Sequence, residues 1–182
     1  MRRSLLKYSL HGLAILAIIA GMVFGFVELI PHGLASPTPR VTLNASRIAP
    51  REIEDLTEHN IIRDYGLAWR SLADAREQNR PELIDAYFTG FAHDNLKQAI
   101  EDQKETGLRT RYIDSAHKLE AFFYAPGGDA MELRDTAQLQ RQVLDGDKVI
   151  HEENVTVQYL VIMTPGADRW YVRALQAVPP SK

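Results

Sequence analysis

Hydrophobic positions divide the chain into three parts that differ in periodicity. Residues 12–30 form an almost continuous apolar run that only Glu28 interrupts. Residues 51–107 repeat apolar side chains every three or four positions, which is typical of amphipathic helices. Residues 112–178 alternate apolar and polar side chains, which is typical of strands with one buried face. The sequence therefore predicts one hydrophobic segment, then helices, then a sheet.

The first apolar run predicts a single transmembrane helix. At about 1.5 Å per residue, residues 12–30 would extend roughly 28 Å, close to the hydrocarbon thickness of a bilayer. Basic side chains precede the run, and the next base is Arg40. We therefore expect residues 1–11 in the cytoplasm and the rest of the chain across the membrane. The predicted location is the inner membrane of a Gram-negative bacterium, with the C-terminal domain in the periplasm.

A cleavable signal peptide is the alternative for this segment. Gly33-Leu34-Ala35 before Ser36 places small residues at the two positions that a signal peptidase reads. The apolar run, however, is longer than the core of about 7 to 15 residues that is usual in signal peptides. We therefore favour a retained anchor in contact with lipid. Gly21 and Gly25 give this anchor a GxxxG spacing, which suits close helix packing.

The segment after the predicted anchor reads as a tether followed by three helices. Residues 31–50 contain four prolines and no helical repeat, which predicts an extended tether before a domain at residues 51–182. The first helical region forms one long helix or two in sequence. The second helix is predicted to begin at Pro81 and to end at Gly90, and the third to end at Gly107.

The alternating part of the chain predicts four long strands. Turn-forming residues at 126–129, 145–147 and 165–168 separate them, so consecutive strands form an antiparallel meander. Helices that precede strands in this way indicate an α+β domain in which the helices pack on one face of a curved sheet.

The amino-acid composition excludes several classes of protein but does not indicate a particular reaction. The 182 residues, 45% of them apolar, suffice for one compact core. The formal net charge of −3 argues against a broadly basic surface that binds nucleic acid. Because the chain has no cysteine, disulfides, thiolate metal sites and cysteine nucleophiles are excluded.

The order of three helices and a four-stranded meander resembles the nuclear transport factor 2-like superfamily, also described as SnoaL-like or cystatin-like. The residues that carry the resemblance are Trp69 in the first helix, Tyr159 in the penultimate strand, and Trp170-Tyr171-Val172 at the start of the last strand. The chain is most similar to membrane-tethered bacterial members and to the intermembrane-space-facing domain of plastid division proteins. The resemblance covers about residues 60–178 and implies a cone formed by helices and sheet.

The resemblance also implies where chemistry would lie. Enzymatic members of the superfamily use an Asp or His inside the cone, helped by a Tyr or a second acid. His117 alternates with Leu119 on one strand face, and Asp135 alternates with Leu133, so each points into the cone or lies at its rim. No motif of the enzymatic members matches these positions residue by residue. The candidates are Asp64, Tyr65, Tyr87, His117, Tyr124 and Asp135.

No cofactor is predicted. His151-Glu152 begins like a zinc-binding HExxH motif, but Val155 stands where the second histidine is needed, and the segment alternates like a strand. The paired glycines fall in predicted hairpins that do not lead into a helix, which disfavours a phosphate-binding loop.

Two functions remain open at this stage. The favoured hypothesis is a membrane-anchored, non-catalytic interaction or assembly module, such as an accessory subunit of a membrane complex, with Tyr159, Trp170 and Tyr171 as aromatic contacts. Its partner would be a protein, and self-association as a homodimer is a further option. The alternative is a small-molecule-binding protein or an enzyme of the polyketide-cyclase or isomerase type, with a pocket lined by Trp69 and Tyr87.

Overall fold

The computed structural model describes residues 36–179. The predicted membrane segment, with Gly21 and Gly25, lies outside the described residues. Within residues 36–179, the helices are too short or too polar to span a bilayer.

The domain has the predicted α+β composition. Its helices are α1 (Asp55–Gln78) and α2 (Gly90–Glu105), with a short 3-10 helix at Pro81–Ile84 between them. Its strands are β1 (Arg40–Asn44), β2 (Leu108–Tyr124), β3 (Met131–Asp145), β4 (Lys148–Pro165) and β5 (Trp170–Val178). The five strands form one sheet in the order β1-β2-β3-β4-β5, and β2 to β5 are antiparallel neighbours as predicted.

The prediction of three helices is wrong at the second helix. Only Pro81–Ile84 is helical there, because the residues that follow bond to β5 instead. The backbone N–H of Val172 donates to the carbonyl of Tyr87, and the N–H of Thr89 donates to the carbonyl of Val172. Gly90 begins α2 and does not end the preceding helix. Its φ of +53° lies in the left-handed region that glycine tolerates best, and it turns the chain from the sheet into the helix.

The prediction of four strands is also corrected, because part of the proline-rich segment joins the sheet. β1 pairs in parallel with β2, from Arg40 opposite Ala116 to Asn44 opposite Glu120. Val41 and Leu43 of β1 pack against the hydrophobic core. β1 has only five residues, in which exposed and half-buried positions alternate. Because prolines lie on both sides of it, so short a pattern does not identify a strand in the sequence.

The core lies between the helices and one face of the sheet. Leu56, in the first turn of α1, is 73% exposed, because the buried stripe of the helix begins at Ile61. Alternate residues of β3 are buried, as period-two patterning predicts. The buried stripe of α1 includes Ile61, Tyr65, Ala68, Trp69, Leu72 and Ala75, and that of β3 includes Met131, Leu133, Asp135, Ala137 and Leu139.

The chain is held against α1 from the first described residue. The backbone N–H of Ser36 donates to Oδ1 of Asp74 at 2.7 Å. Two residues later, Thr38 lies so near Gly66 that a Cβ added to this glycine would be 3.1 Å from Cγ2 of Thr38. Even a methyl group at this position would therefore require Thr38 to shift by a few tenths of an ångström.

Candidate functional site

One group of polar and aromatic side chains meets in the centre of the domain. Tyr65 and Trp69 lie four residues apart on α1 and so share a face. Asp135 of β3 is the register partner of both Leu119 on β2 and Tyr159 on β4. His117, two residues before Leu119, lies on the same face as Asp135. We call Tyr65, Trp69, His117, Asp135 and Tyr159 the interior cluster.

Two donors converge on one oxygen of Asp135. The hydroxyl of Tyr65 donates to Oδ2 at 2.9 Å, and Nδ1 of His117 donates to the same oxygen at 2.7 Å. The second bond fixes the proton of His117 on Nδ1 and sets the orientation of its ring. Within residues 36–179, Oδ1 of Asp135 has no hydrogen-bond partner.

The hydrogen-bonded groups of the interior cluster are sealed from solvent. Tyr65, His117 and Asp135 are each 0% exposed. Burial, together with the adjacent Asp135, raises the pKa of Tyr65 well above its usual range, so its hydroxyl remains a donor at ordinary pH. A buried carboxylate costs less when donors are fixed around it, and this arrangement provides two of them.

Aromatic rings enclose this hydrogen-bonded centre. The ring centroid of Trp69 lies 4.4 Å from that of His117 and 5.5 Å from that of Tyr159. The ring of Tyr65 stands edge-on to His117 at 5.7 Å. These contacts fill the space beside Asp135 with the protein's own side chains.

Asp64, another candidate from the sequence, has a different environment. Its Oδ2 accepts the backbone N–H of Trp170 at 2.8 Å, so it links α1 to the first residue of β5. Arg63 donates to both carboxylate oxygens, at 2.8 and 3.1 Å. Asp64 is 1% exposed and its oxygens are already engaged, which makes it a connection between two elements.

The remaining predicted aromatics lie outside the interior cluster. Trp170 is buried with its ring 6.2 Å from that of Tyr124. The guanidinium of Arg169 covers the ring of Tyr87 at 5.2 Å. Tyr171 packs so closely on the turn before β5 that a Cβ on Gly166 would be 2.3 Å from its ring. The structure thus brings Trp69, His117, Asp135 and Tyr159 together and places Tyr87, Trp170 and Tyr171 elsewhere.

The outer face of the sheet carries two grooves that sequence reasoning did not identify. Phe122 and Leu160 are each 41% exposed beside a groove of about 200 Å³, which we call the apolar groove. A second groove, of about 340 Å³, lies further along the sheet, and we call it the amide groove. Its outward-facing residues are Ile113, Gln138, Gln140, Asn154 and Thr156. The outward alternation of Leu160 and Ile162 in β4 was the available signal for the first groove.

A metal site in a protein needs several ligating side chains that converge on one point. Across residues 36–179, no three His, Asp or Glu side chains are placed to ligate one. His151 pairs with Glu153 on the surface of β4, at 3.7 Å.

Solved structures with a similar fold include domains of different activities. The intermembrane space region of the chloroplast protein ARC6 matches with a TM-score of 0.55 at 14% identity, over 71% of this chain and all of that one. The likeness is one of fold, to structures that include nuclear transport factor 2-like and cystatin-like ones. A provisionally named dehydratase of the NTF2-like family from Streptomyces avermitilis matches at 0.46 and 12% identity, over 66% of this chain and 97% of that chain. A cystatin-like protein of unknown function from Nostoc punctiforme matches with a TM-score of 0.43 at 15% identity, over 72% of this chain and 97% of that chain. No family model matches the sequence, and no curated protein is significantly similar to it.

The interior cluster lies between the helices and the sheet, where the resemblance places the inside of the cone. Strand alternation placed His117 and Asp135 either in the cone or at its rim, and both are inside. The position of Tyr65 follows from its spacing of one helical turn before Trp69. Which of these residues hydrogen-bond to each other depends on the register between strands, which the sequence does not contain.

Proposed function

We propose that this chain is a membrane-anchored, non-catalytic interaction or assembly module. The observation that carries the proposal is the sealed interior cluster. A catalytic carboxylate or imidazole must come within about 3.5 Å of the reacting atoms. Asp135 and His117 have no exposed surface, and the rings of Trp69 and Tyr159 occupy the approach to them. A substrate would have to displace these side chains before any proton transfer.

The apolar groove supports an interaction role. Phe122 and Leu160 stay partly exposed on the sheet face opposite the helices, and Ile162 and Ala174 line the same groove. Apolar side chains grouped on an outer face are typical of protein contact sites. A sheet also holds such side chains in fixed positions, so little conformational entropy is lost when a partner binds.

The predicted anchor supports the same role. Residues 12–30 are apolar and long enough for one span, and the acidic body would then remain beside the membrane. Tethering raises the effective concentration of a domain near membrane partners, so a small interface suffices for binding.

Extraction from native membranes in a mild detergent, followed by mass spectrometry, tests the proposal. We expect a stoichiometric membrane protein to co-purify with the chain. Leu160→Glu should lose that partner, because it places a charge in the apolar groove. Phe91→Glu is the matched control, since Phe91 is 75% exposed at the start of α2, away from the groove. Recovery of the chain alone, or loss of the partner in both variants, would refute the proposal.

A small-molecule-binding protein or enzyme is the second candidate. It is favoured by the two donors on Oδ2 of Asp135 and by the lack of a partner for Oδ1 among the described residues. Such a carboxylate is suited to act as a general base, because its second oxygen can accept a proton from a substrate. If this candidate is right, a small molecule will bind and raise the melting temperature of the protein. The Asp135→Asn variant will neither turn over that molecule nor be stabilised by it. A ligand that protects Asp135→Asn equally would contradict it.

A further inference from the structure

One edge of the sheet is left open where β5 ends. The last pair between β4 and β5 joins Gln158 to Val178. Before that pair, residues 152–157 of β4 bond to β3 on one side, and among the described residues no strand pairs with their other side. We call residues 152–157 the open edge. An unpaired edge presents free backbone N–H and C=O groups to a further strand.

The residues that follow β5 in the sequence are poorly suited to closing this edge. β5 runs toward it, but Pro179 and Pro180 follow Val178 in the sequence. Proline has no backbone N–H to donate, so two in succession cannot extend a hydrogen-bonded ladder. The other edge strand, β1, has only five residues, which limits pairing there.

The open edge adjoins the amide groove. Asn154 and Thr156 belong to the open edge and also line the groove, together with Gln138, Gln140 and Ile113. Glu152 lies two residues before Asn154 on the same exposed face of β4. A strand added here would therefore set one outward side chain over neutral amides and a hydroxyl, and the next outward side chain beside a carboxylate.

We propose that the open edge binds an extended segment of a partner protein as an added antiparallel strand. This segment carries a tyrosine facing the amide groove and, two residues later, a lysine or arginine facing Glu152. Asn154 lies on the strand next to the added one and offers a side-chain amide within reach of a tyrosine hydroxyl, whereas Ile113 lies two strands further away on β2. Backbone bonds supply affinity in this mode, and side-chain sites supply specificity. The proposal deepens the interaction role and rests on it.

Peptide binding to the full-length chain, purified in detergent, tests the inference. The probe is a fluorescent ten-residue peptide of alternating valine and threonine, with one tyrosine and a lysine two residues after it. Two further versions are N-methylated on alternate residues, one on the even positions and one on the odd. We expect only one of these versions to lose binding, because only alternate N–H groups of a strand face the protein. Equal effects of the two versions, or no binding of the parent peptide, would overturn the proposal.

A charge exchange tests the side-chain specificity. Glu152→Lys should weaken binding of the lysine peptide about fivefold. It should strengthen, by a similar factor, binding of a peptide in which glutamate replaces that lysine. Glu52→Lys, an equal change at an exposed position before α1, should alter neither affinity. The assignment would be overturned if Glu152→Lys left both peptide affinities unchanged. It would also be overturned if the chain formed a self-dimer that this substitution abolished. Absence of a co-purified membrane partner would instead refute the assembly role, whatever the peptides do.

Discussion

Asp135 is the residue on which the interior depends. Its carboxylate is fully buried and accepts from Tyr65 and His117, so each of those side chains relies on it for a partner. Removing one partner from a buried group usually costs more than the bond contributed, because the group left behind stays desolvated. Sequence alternation placed Asp135 and His117 in the cone or at its rim and did not predict their bond, since bonding depends on the register between strands.

Asp135→Ala should lower the free energy of unfolding by about 2 to 4 kcal/mol, as expected when a buried charge partner is removed. Tyr65→Phe removes one hydroxyl and leaves the other bond, so it should cost only about 1 kcal/mol. Urea denaturation of both variants measures these differences. Equal stability of Asp135→Ala and the parent protein would show that the buried bonds do not stabilise the fold.

His93 is a second residue whose charge matters, this time near the surface. Its Nε2 donates to Asp85 at 2.9 Å and its Nδ1 donates to Asp94 at 3.1 Å, which requires the protonated ring. These two carboxylates raise the pKa of His93 above its usual value. Asp94 lies within α2, which begins at Gly90, and its carboxylate faces His93.

The contribution of His93 to stability should therefore depend on pH. Because its pKa is raised in the folded state, the contribution is complete below the ordinary pKa of about 6.5 and is lost as pH rises through the raised value. At pH 5.5, His93→Gln should be less stable than the parent by up to about 1 kcal/mol, since both carboxylates are mostly exposed. The difference should vanish at alkaline pH in urea titrations. A difference that stays the same size at alkaline pH would contradict this account.

Among the elements, the junction of α1 and β5 is made by Asp64. This carboxylate binds the backbone N–H of Trp170, across 106 residues of sequence. The sequence predicted both elements correctly, because their periodicities are long. It did not predict their junction, nor the short strand β1, because each depends on contacts between distant segments. The second predicted helix failed for the same reason, since the pairing of Tyr87 and Thr89 with β5 overrides local preference.

Asp64→Ala should loosen the start of β5. The N–H of Trp170 would lose its acceptor in a buried site, at a cost of about 1 to 3 kcal/mol. We expect faster amide hydrogen exchange at Trp170 than in the parent protein. Arg63→Ala removes a half-exposed partner of Asp64 and should change stability by less than about 1 kcal/mol. Unchanged exchange at Trp170 in Asp64→Ala would contradict this account.

On the scale of the whole molecule, the proposed anchor determines where the domain acts. Deletion of residues 12–30 should release the chain from membranes, because that segment supplies the predicted span. Carbonate extraction should leave the parent protein in the membrane pellet and the deletion variant in the supernatant. Mature chains that begin at Ser36 would contradict a retained anchor and support signal cleavage.

The bond between Ser36 and Asp74 fastens the entering chain to α1 before that chain joins the sheet as β1. A pulling force applied to the chain upstream of Ser36 would therefore load α1 and the pair of β1 and β2 first. The antiparallel strands β3 to β5 would bear that force only after these contacts had broken.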